Sequence, residues 1–125
     1  MYLRTDNSFT ARGRLVSAPN YNISKSGNVV TSIRLAQETP FKDKEGNFKV
    51  AYIDYVATDT KHNNIATRLV EYTTKGSLVS LVGYHDSYSK EIDGKTMYYQ
   101  VNRIESFRNE EGKEVTEKRL NENRK

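Results

Sequence analysis

Short segments in which apolar and polar residues alternate at every second position recur through most of this chain. Residues 8–16 alternate in this way, and residues 29–36 place Val29, Ile33 and Leu35 on one side and Arg34 on the other. A period of two is typical of a β-strand with one buried face. The pattern therefore favours a sheet or a barrel over a helical bundle.

Three further segments are predicted strands, over residues 50–57, 77–89 and 96–107. The first of them is apolar on both faces, so one face should meet the core and the other should meet another subunit or a ligand. Residues 40–49 are expected to form a charged hairpin loop with its turn at Glu45-Gly46-Asn47. Asp93-Gly94 predicts a tight hairpin turn, and residues 17–28 are rich in turn-forming residues.

One helix is predicted between the third and fourth of these strands. Ile65, Leu69 and Tyr72 recur at helical spacing and are expected to face the core. Asp59 or Thr60 can cap its start. Lys75 and Gly76 suit its end, as a cation near the negative end of the helix and a left-handed stop. The predicted order is β-β-β-α-β-β.

Length and composition limit the class of protein. The chain has 125 residues, which fits one domain, expected over residues 1–107 with a polar tail, a frayed helix or disordered, over 108–125. Its 20 Lys and Arg against 16 Asp and Glu give a net charge of +4, which suits a polyanionic partner without requiring one. The absence of cysteine excludes disulfides and thiol chemistry. Without a membrane-spanning run or a signal-peptide pattern, a cytoplasmic protein is expected.

Catalytic patterns are missing from the sequence. The chain has two histidines, His62 and His85, and the neighbours His85 and Asp86 should point to opposite faces of a strand. The carboxylates of residues 43, 45, 91 and 93 have the spacing of turns rather than of a metal site. We therefore predict no enzyme activity, no metal and no cofactor.

Aromatic and basic residues are instead interleaved along the predicted hairpins. Single strands bind to such surfaces, because bases stack on aromatic rings while cations contact phosphates. We expect sequence-independent binding of single-stranded DNA, or of RNA. Tyr98 and Tyr99 should point to opposite faces, so at most one is expected at the DNA, and Tyr72 and Phe107 are expected in the core. The interleaved residues are Phe41, Lys42, Lys44, Phe48, Lys49, Tyr52, Tyr55, Tyr84, Tyr88, Lys90, Lys95, Tyr98 and Tyr99.

Five motifs in order give residues 9–107 a resemblance to a known family. They are Gly13-Arg14-Leu15, Ile33-Arg34-Leu35-Ala36, Phe41-Lys42-Asp43-Lys44-Glu45-Gly46, Asn64-Ile65-Ala66 and Lys75-Gly76-Ser77-Leu78-Val79. With these motifs the chain resembles the bacterial single-stranded DNA-binding proteins. The resemblance implies an all-β protein with one helix, a five-stranded OB-fold barrel.

The resemblance also implies which residues meet DNA. It gives the stacking rings as Phe41, Tyr52 and Tyr88, whereas Thr58 stands near a position where the family has an aromatic residue. Arg12 replaces a usually apolar residue and either contacts a phosphate or faces water. Among the cations, Lys44 and Lys75 match the family best and three others match less well. The expected DNA-binding set is Phe41, Phe48, Tyr52, Tyr88, Arg12, Arg34, Lys44, Lys49, Lys75 and Lys90.

The family resemblance further implies a homotetramer that acts in DNA replication, recombination or repair, associated with the nucleoid. The family's acidic C-terminal tip recruits repair enzymes, and this chain ends in the basic Asn121-Glu122-Asn123-Arg124-Lys125. Recruitment by that route is therefore not expected. The alternative is an OB-fold oligomer that binds DNA weakly and acts mainly through protein partners.

Overall fold

The computed structural model describes residues 6–111, 116 and 118. In this part of the chain six strands and one helix follow one another. They are β1 (Phe9–Leu15), β2 (Asn20–Ile23), β3 (Val29–Lys42), β4 (Phe48–Thr58), α1 (Ile65–Tyr72), β5 (Leu78–Ile92) and β6 (Lys95–Asn109).

The strands form a closed barrel. The sheet order is β1-β5-β6-β4-β3-β2, and an additional pairing of β1 with β3 closes the ring. The predicted five-stranded OB-fold barrel, made of β1, β3, β4, β6 and β5, is thus confirmed. The order predicted from the sequence, β-β-β-α-β-β, omitted one short strand. This strand, β2, lies in the turn-rich segment and pairs with the beginning of β3.

The core follows from the alternation of residues along the strands. Leu15, Ile33, Leu35 and Tyr55 point inward and are buried, as the period of two predicts. Helix α1 closes one end of the barrel with Ile65, Ala66 and Leu69. The buried Thr31 hydroxyl donates a hydrogen bond to the Ala66 carbonyl, 2.9 Å away, and joins the helix to β3.

The start of α1 differs from the expectation in one detail. Asn64 occupies the N-cap position and makes no side-chain capping bond. Asp59 caps the helix from outside it: its carboxylate accepts hydrogen bonds from the N–H groups of Ala66 at 2.7 Å and Thr67 at 3.1 Å. Thr60 instead forms a backbone bridge with Asn63.

The end of α1 corrects two expectations. The helix stops at Tyr72, because Thr73 is already extended. Gly76 does have a positive φ of 87°, but it lies in the following turn, where its N–H donates to the Leu15 carbonyl at 2.8 Å. Tyr72, expected in the core, is 54% exposed. The helix is only two turns long, and Tyr72 lies at its last position.

The β3–β4 hairpin has a tighter turn than the sequence suggested, whereas the turn of the β5–β6 hairpin is the predicted one. The β3–β4 loop spans only residues 43–47, and the Asp43 carboxylate accepts bonds from the N–H groups of Glu45 and Asn47 at 2.9 and 3.0 Å. The predicted turn at Asp93 and Gly94 is confirmed by their positive φ angles of 52° and 79°.

The last strand is longer than predicted. It continues to Asn109 rather than ending at residue 107. Beyond it Thr116 and Lys118 are helical and Thr116 is buried, while residues 112–115, 117 and 119–125 of the expected tail lie outside the described residues.

Candidate nucleic-acid interface

We call the outward-pointing side of the barrel strands the outer face. On β4, alternate residues from Ala51 to Ala57 point inward, so Tyr52, Asp54 and Val56 point outward. Strand pairing extends this face across the barrel. Tyr52 lies opposite Ala36 on β3, and Val56 pairs in parallel with Arg103 on β6.

The β3–β4 hairpin presents three exposed aromatic rings. Tyr52 on the outer face is 63% exposed, and Phe41 near the hairpin end is 71% exposed. Phe48 lies opposite Lys42, whose ammonium group is 5.3 Å from the centre of the Phe48 ring. Exposed rings of this kind are costly in water, and those of Phe41 and Tyr52 present most of their surface to solvent.

The β5–β6 hairpin presents a second aromatic group on the same face. Tyr88 is 42% exposed and lies opposite Tyr99, and the two rings stack with centres 5.3 Å apart and 23° between their planes. The Lys90 ammonium group is 5.8 Å from the Tyr88 ring centre. Tyr99 thus supports one side of the predicted stacking ring, and Tyr98 belongs to the opposite face of the strand.

Arginines of the outer face are held by carboxylates. Arg34 donates two bonds to Asp54, at 2.8 and 3.1 Å, and Arg103 donates to Asp86 at 2.7 Å. The hydrogen bond from Arg34 lowers the pKa of Asp54 below 3.8, and the bond from Arg103 does the same for the pKa of Asp86. Both ion pairs therefore stabilise the folded protein above pH 3.8, the ordinary pKa of an aspartate. This stabilisation is lost as the pH falls through the lowered pKa values of Asp54 and Asp86.

A third arginine is neutralised in the same way, and a fourth is not. Arg14 donates two bonds to Glu111, at 2.8 and 3.1 Å, which raise the pKa of Arg14. Arg12 has no carboxylate partner within the described part of the chain. It lines a shallow groove of about 600 Å³ together with Ala36 and Val50, one step along the outer face from Tyr52.

The predicted lysines are divided between three places. Lys44 lies in the β3–β4 loop, between Phe41 and Phe48 in the chain, and Lys90 lies on the outer face of β5 beside the Tyr88 ring. Lys49 alternates with Phe48 and Val50 and so points away from the outer face. Lys75 lies in the turn after α1, off the strands that present the rings. The structure thus brings Lys44 and Lys90 to the aromatic surface and separates Lys49 and Lys75 from it.

Comparison with known proteins gives the family. The model of the single-strand binding protein family matches residues 6–107. The chain belongs to the single-strand binding protein family. It is 31% identical over 87 residues to a single-stranded DNA-binding protein of Oceanobacillus iheyensis, a match that covers 69% of this chain and 52% of the relative. It is 30% identical over 101 residues to single-stranded DNA-binding protein 1 of Streptococcus pyogenes serotype M6, covering 81% of this chain and 74% of the relative.

The match spans about half the length of the Oceanobacillus protein. The family match over residues 6–107 includes both hairpins and all of the barrel strands except the last two residues of β6.

The position at which this member lacks an expected aromatic residue lies on the outer face. Thr58 is six residues beyond Tyr52 on β4 and points to the same side. It lines a groove of about 550 Å³ with Val56, Tyr84 and Arg103. Sequence reasoning placed Tyr84 among the interleaved aromatics without assigning it to the DNA-binding set, because the pairing that brings β5 beside β6 and β4 could not be read from spacing.

The ion pairs of the outer face were also missed from the sequence. Asp54 lies between Ile53 and Tyr55 in the chain and Asp86 follows His85, and nothing in their spacing indicates an arginine partner. The strand register determines which arginine pairs with Asp54, since Arg34 is directly opposite it on β3. A correct prediction of the register between β3 and β4 would have indicated the ion pair between Arg34 and Asp54.

The described residues show no group of three or more potential metal ligands. His85 contacts the Phe9 ring, with centres 5.2 Å apart, and its Nδ1 lies 2.8 Å from the Asn102 side-chain oxygen. Both contacts are structural. Within the described part of the chain, no helix is long and apolar enough to cross a bilayer.

Proposed function

We propose that this protein binds single-stranded DNA on its outer face, without dependence on base sequence. The observation on which this rests is the placement of Phe41, Tyr52 and Tyr88 as exposed rings on the two hairpins of one barrel. Each base stacked on such a ring contributes roughly 1–3 kcal/mol. Family membership and the names of both relatives, single-stranded DNA-binding proteins, support the same conclusion.

Cations beside the rings would hold the phosphates. Lys44, Lys90 and Arg12, which has no carboxylate partner among the described residues, are the best placed. Phe48 with its adjacent Lys42 extends the same surface. Arg34 can join them only by exchanging Asp54 for a phosphate. We assign Lys49 and Lys75 to a later part of the DNA path, outside the aromatic surface.

Coating of exposed strands during replication, recombination or repair is the cellular role that such binding serves. No cofactor and no catalytic residue are needed for it. Stacking does not distinguish strongly between DNA and RNA, so single-stranded RNA is expected to compete. The place of action would be the cytoplasm, at the nucleoid.

We also propose a homotetramer. Val82 is an exposed apolar residue that does not belong to a stacking site, and burial between subunits would remove it from water. Light scattering should then give about four times the 14.4 kDa of one chain. A monomeric mass would overturn the tetramer without affecting the DNA-binding proposal.

The binding site is tested with the variant Phe41→Ala/Tyr52→Ala/Tyr88→Ala. Loss of three stacking contacts should weaken binding to an oligo-dT strand by more than about 100-fold. Tyr72→Ala, which removes an equally exposed ring from α1, is the matched control and should bind like the wild type. Unchanged affinity of the triple variant would contradict the assigned site.

The alternative is a partner-binding module with weak affinity for DNA. The neutralised Arg14, Arg34 and Arg103 and the threonine at position 58 favour it. Under this alternative the wild type and the triple variant would both bind oligo-dT weakly and to the same extent.

A further inference from the structure

Tyr84 occupies a place on the outer face that the proposed stacking set does not use. It lies opposite Arg103 on β6, and Arg103 pairs in turn with Val56 on β4. The side chains of all three therefore point to the same side as Tyr52. The Tyr84 ring is half-buried, and among the described residues no other aromatic ring stacks on it.

A groove opens beside this ring. Its volume is about 550 Å³, and its lining includes Thr58, Thr60, Asn63 and Tyr84. This volume is in the range of sites for small organic ligands. One nucleobase fits into it with space for water, and the hydroxyl and amide groups of the lining can hydrogen-bond to the edge of a base.

The charges around the groove favour a base over a phosphate. Arg103 is held by Asp86 at 2.7 Å, and Glu105 lines the same groove. A phosphate would have to displace Asp86 to reach Arg103. An uncharged aromatic base stacks on the Tyr84 ring without needing a free cation.

The groove also continues the proposed DNA path. Tyr84 and Tyr88 point to the same side of β5, four residues apart, which places their Cα atoms about 13 Å from each other along the strand. A single strand stacked on Tyr88 would pass the groove as it follows β5 toward the barrel.

We infer that Tyr84 is a further base-stacking residue, which takes one nucleobase of the bound strand into the groove beside Thr58. Tyr84 thus provides, from β5, the ring that β4 lacks at residue 58. This inference rests on the proposed function, since it places an additional base on the same strand of DNA.

The test compares Tyr84→Ala with Tyr84→Phe, which keeps the ring. Affinity for an oligo-dT strand should fall about tenfold in the alanine variant and stay within about twofold of wild type in the phenylalanine variant. Tyr84→Leu keeps apolar bulk without a π-system and should behave like the alanine variant, which covers the case in which the smaller residue destabilises the barrel. A DNA strand with 5-iodouracil should form a photo-crosslink to the peptide that contains Tyr84.

The outcomes separate the two proposals. If wild type binds and the triple variant of the other three rings is impaired, but Tyr84→Ala binds like wild type, the inference is overturned and the function stands. Equal weakening by the phenylalanine and alanine variants would assign the effect to the hydroxyl group and would also overturn stacking. If the wild type does not bind single-stranded DNA, both proposals are overturned.

Discussion

Individual residues of the outer face differ in whether they are free to meet a ligand. The rings of Phe41 and Tyr52 are mostly exposed, whereas the guanidinium groups of Arg34 and Arg103 already have carboxylate partners. A phosphate must displace a carboxylate to reach either arginine. Exposed ion pairs are weak and screened by salt, so this exchange is possible, but it reduces the gain from each contact.

Removing one of these carboxylates should strengthen binding. We expect Asp54→Asn to increase affinity for oligo-dT several-fold, because it frees Arg34 and removes a negative charge from the outer face. The slope of log affinity against log salt should become steeper by about one phosphate contact. Fluorescence anisotropy across a salt series measures both quantities.

The control for this prediction is Glu45→Gln. It makes the same change in net charge within the β3–β4 loop but releases no arginine. If both variants tighten binding equally, the effect comes from net charge alone and not from the release of Arg34.

At the level of secondary structure, each long hairpin extends beyond the barrel as a two-stranded ribbon that carries exposed rings. On the β5–β6 hairpin the pairing of Tyr88 with Tyr99 gives the ribbon an aromatic outer side. A ring supported by another ring is held in place before a base arrives, which lowers the entropy cost of stacking.

This arrangement predicts a difference between two neighbouring tyrosines. Tyr99→Ala should weaken oligo-dT binding about threefold or more, because Tyr88 loses the ring that orients it. Tyr98→Ala removes a more exposed ring, at 77%, from the opposite face and should leave affinity unchanged. Titration of both variants against the same oligonucleotide distinguishes the faces, and a larger loss from Tyr98→Ala would reverse the assignment.

The beginning of the same hairpin depends on a glycine. A Cβ atom on Gly83 would lie 1.9 Å from the Arg103 carbonyl oxygen and 2.8 Å from the Phe9 ring. Gly83→Ala should therefore lower the free energy of unfolding by about 2 kcal/mol or more, since the β5–β6 ladder must shift. Urea unfolding compares it with Ser106→Ala, at an exposed position of β6, which should change stability little.

Much of the fold could be predicted from the alternation of residues in the sequence, and the details that failed have local physical causes. The period of two identified the inward positions of β3 and β4, and Asp93-Gly94 fixed one turn. The strand β2 was missed because all four of its residues are exposed and give no alternation. Tyr72 was misplaced because helical spacing does not show that the helix ends there.

The candidate site was less accessible to sequence reasoning than the fold. Aromatic and basic residues could be recognised along each hairpin, but the neutralisation of Arg34 and the groove beside Tyr84 depend on which strands lie side by side. Pairings such as that of β4 with β6 join residues almost fifty positions apart. Local pattern carries no signal for contacts at that distance.

For the whole molecule, the net charge of +4 gives only a weak attraction to DNA. Arg34 and Arg103 on the outer face are paired within the chain, so fewer cations of that face are free to replace counterions on the DNA. We therefore expect stacking to provide most of the affinity, and salt to weaken binding only moderately.

The most direct measurement of the central claim is fluorescence anisotropy of a labelled oligo-dT strand and of a duplex of equal length, across a salt series. The structure predicts tight binding of the single strand with a moderate salt slope, and much weaker binding of the duplex, whose bases cannot stack on Phe41, Tyr52 and Tyr88. Equal affinity for both, or no measurable affinity for the single strand, would contradict the claim that this outer face binds single-stranded DNA.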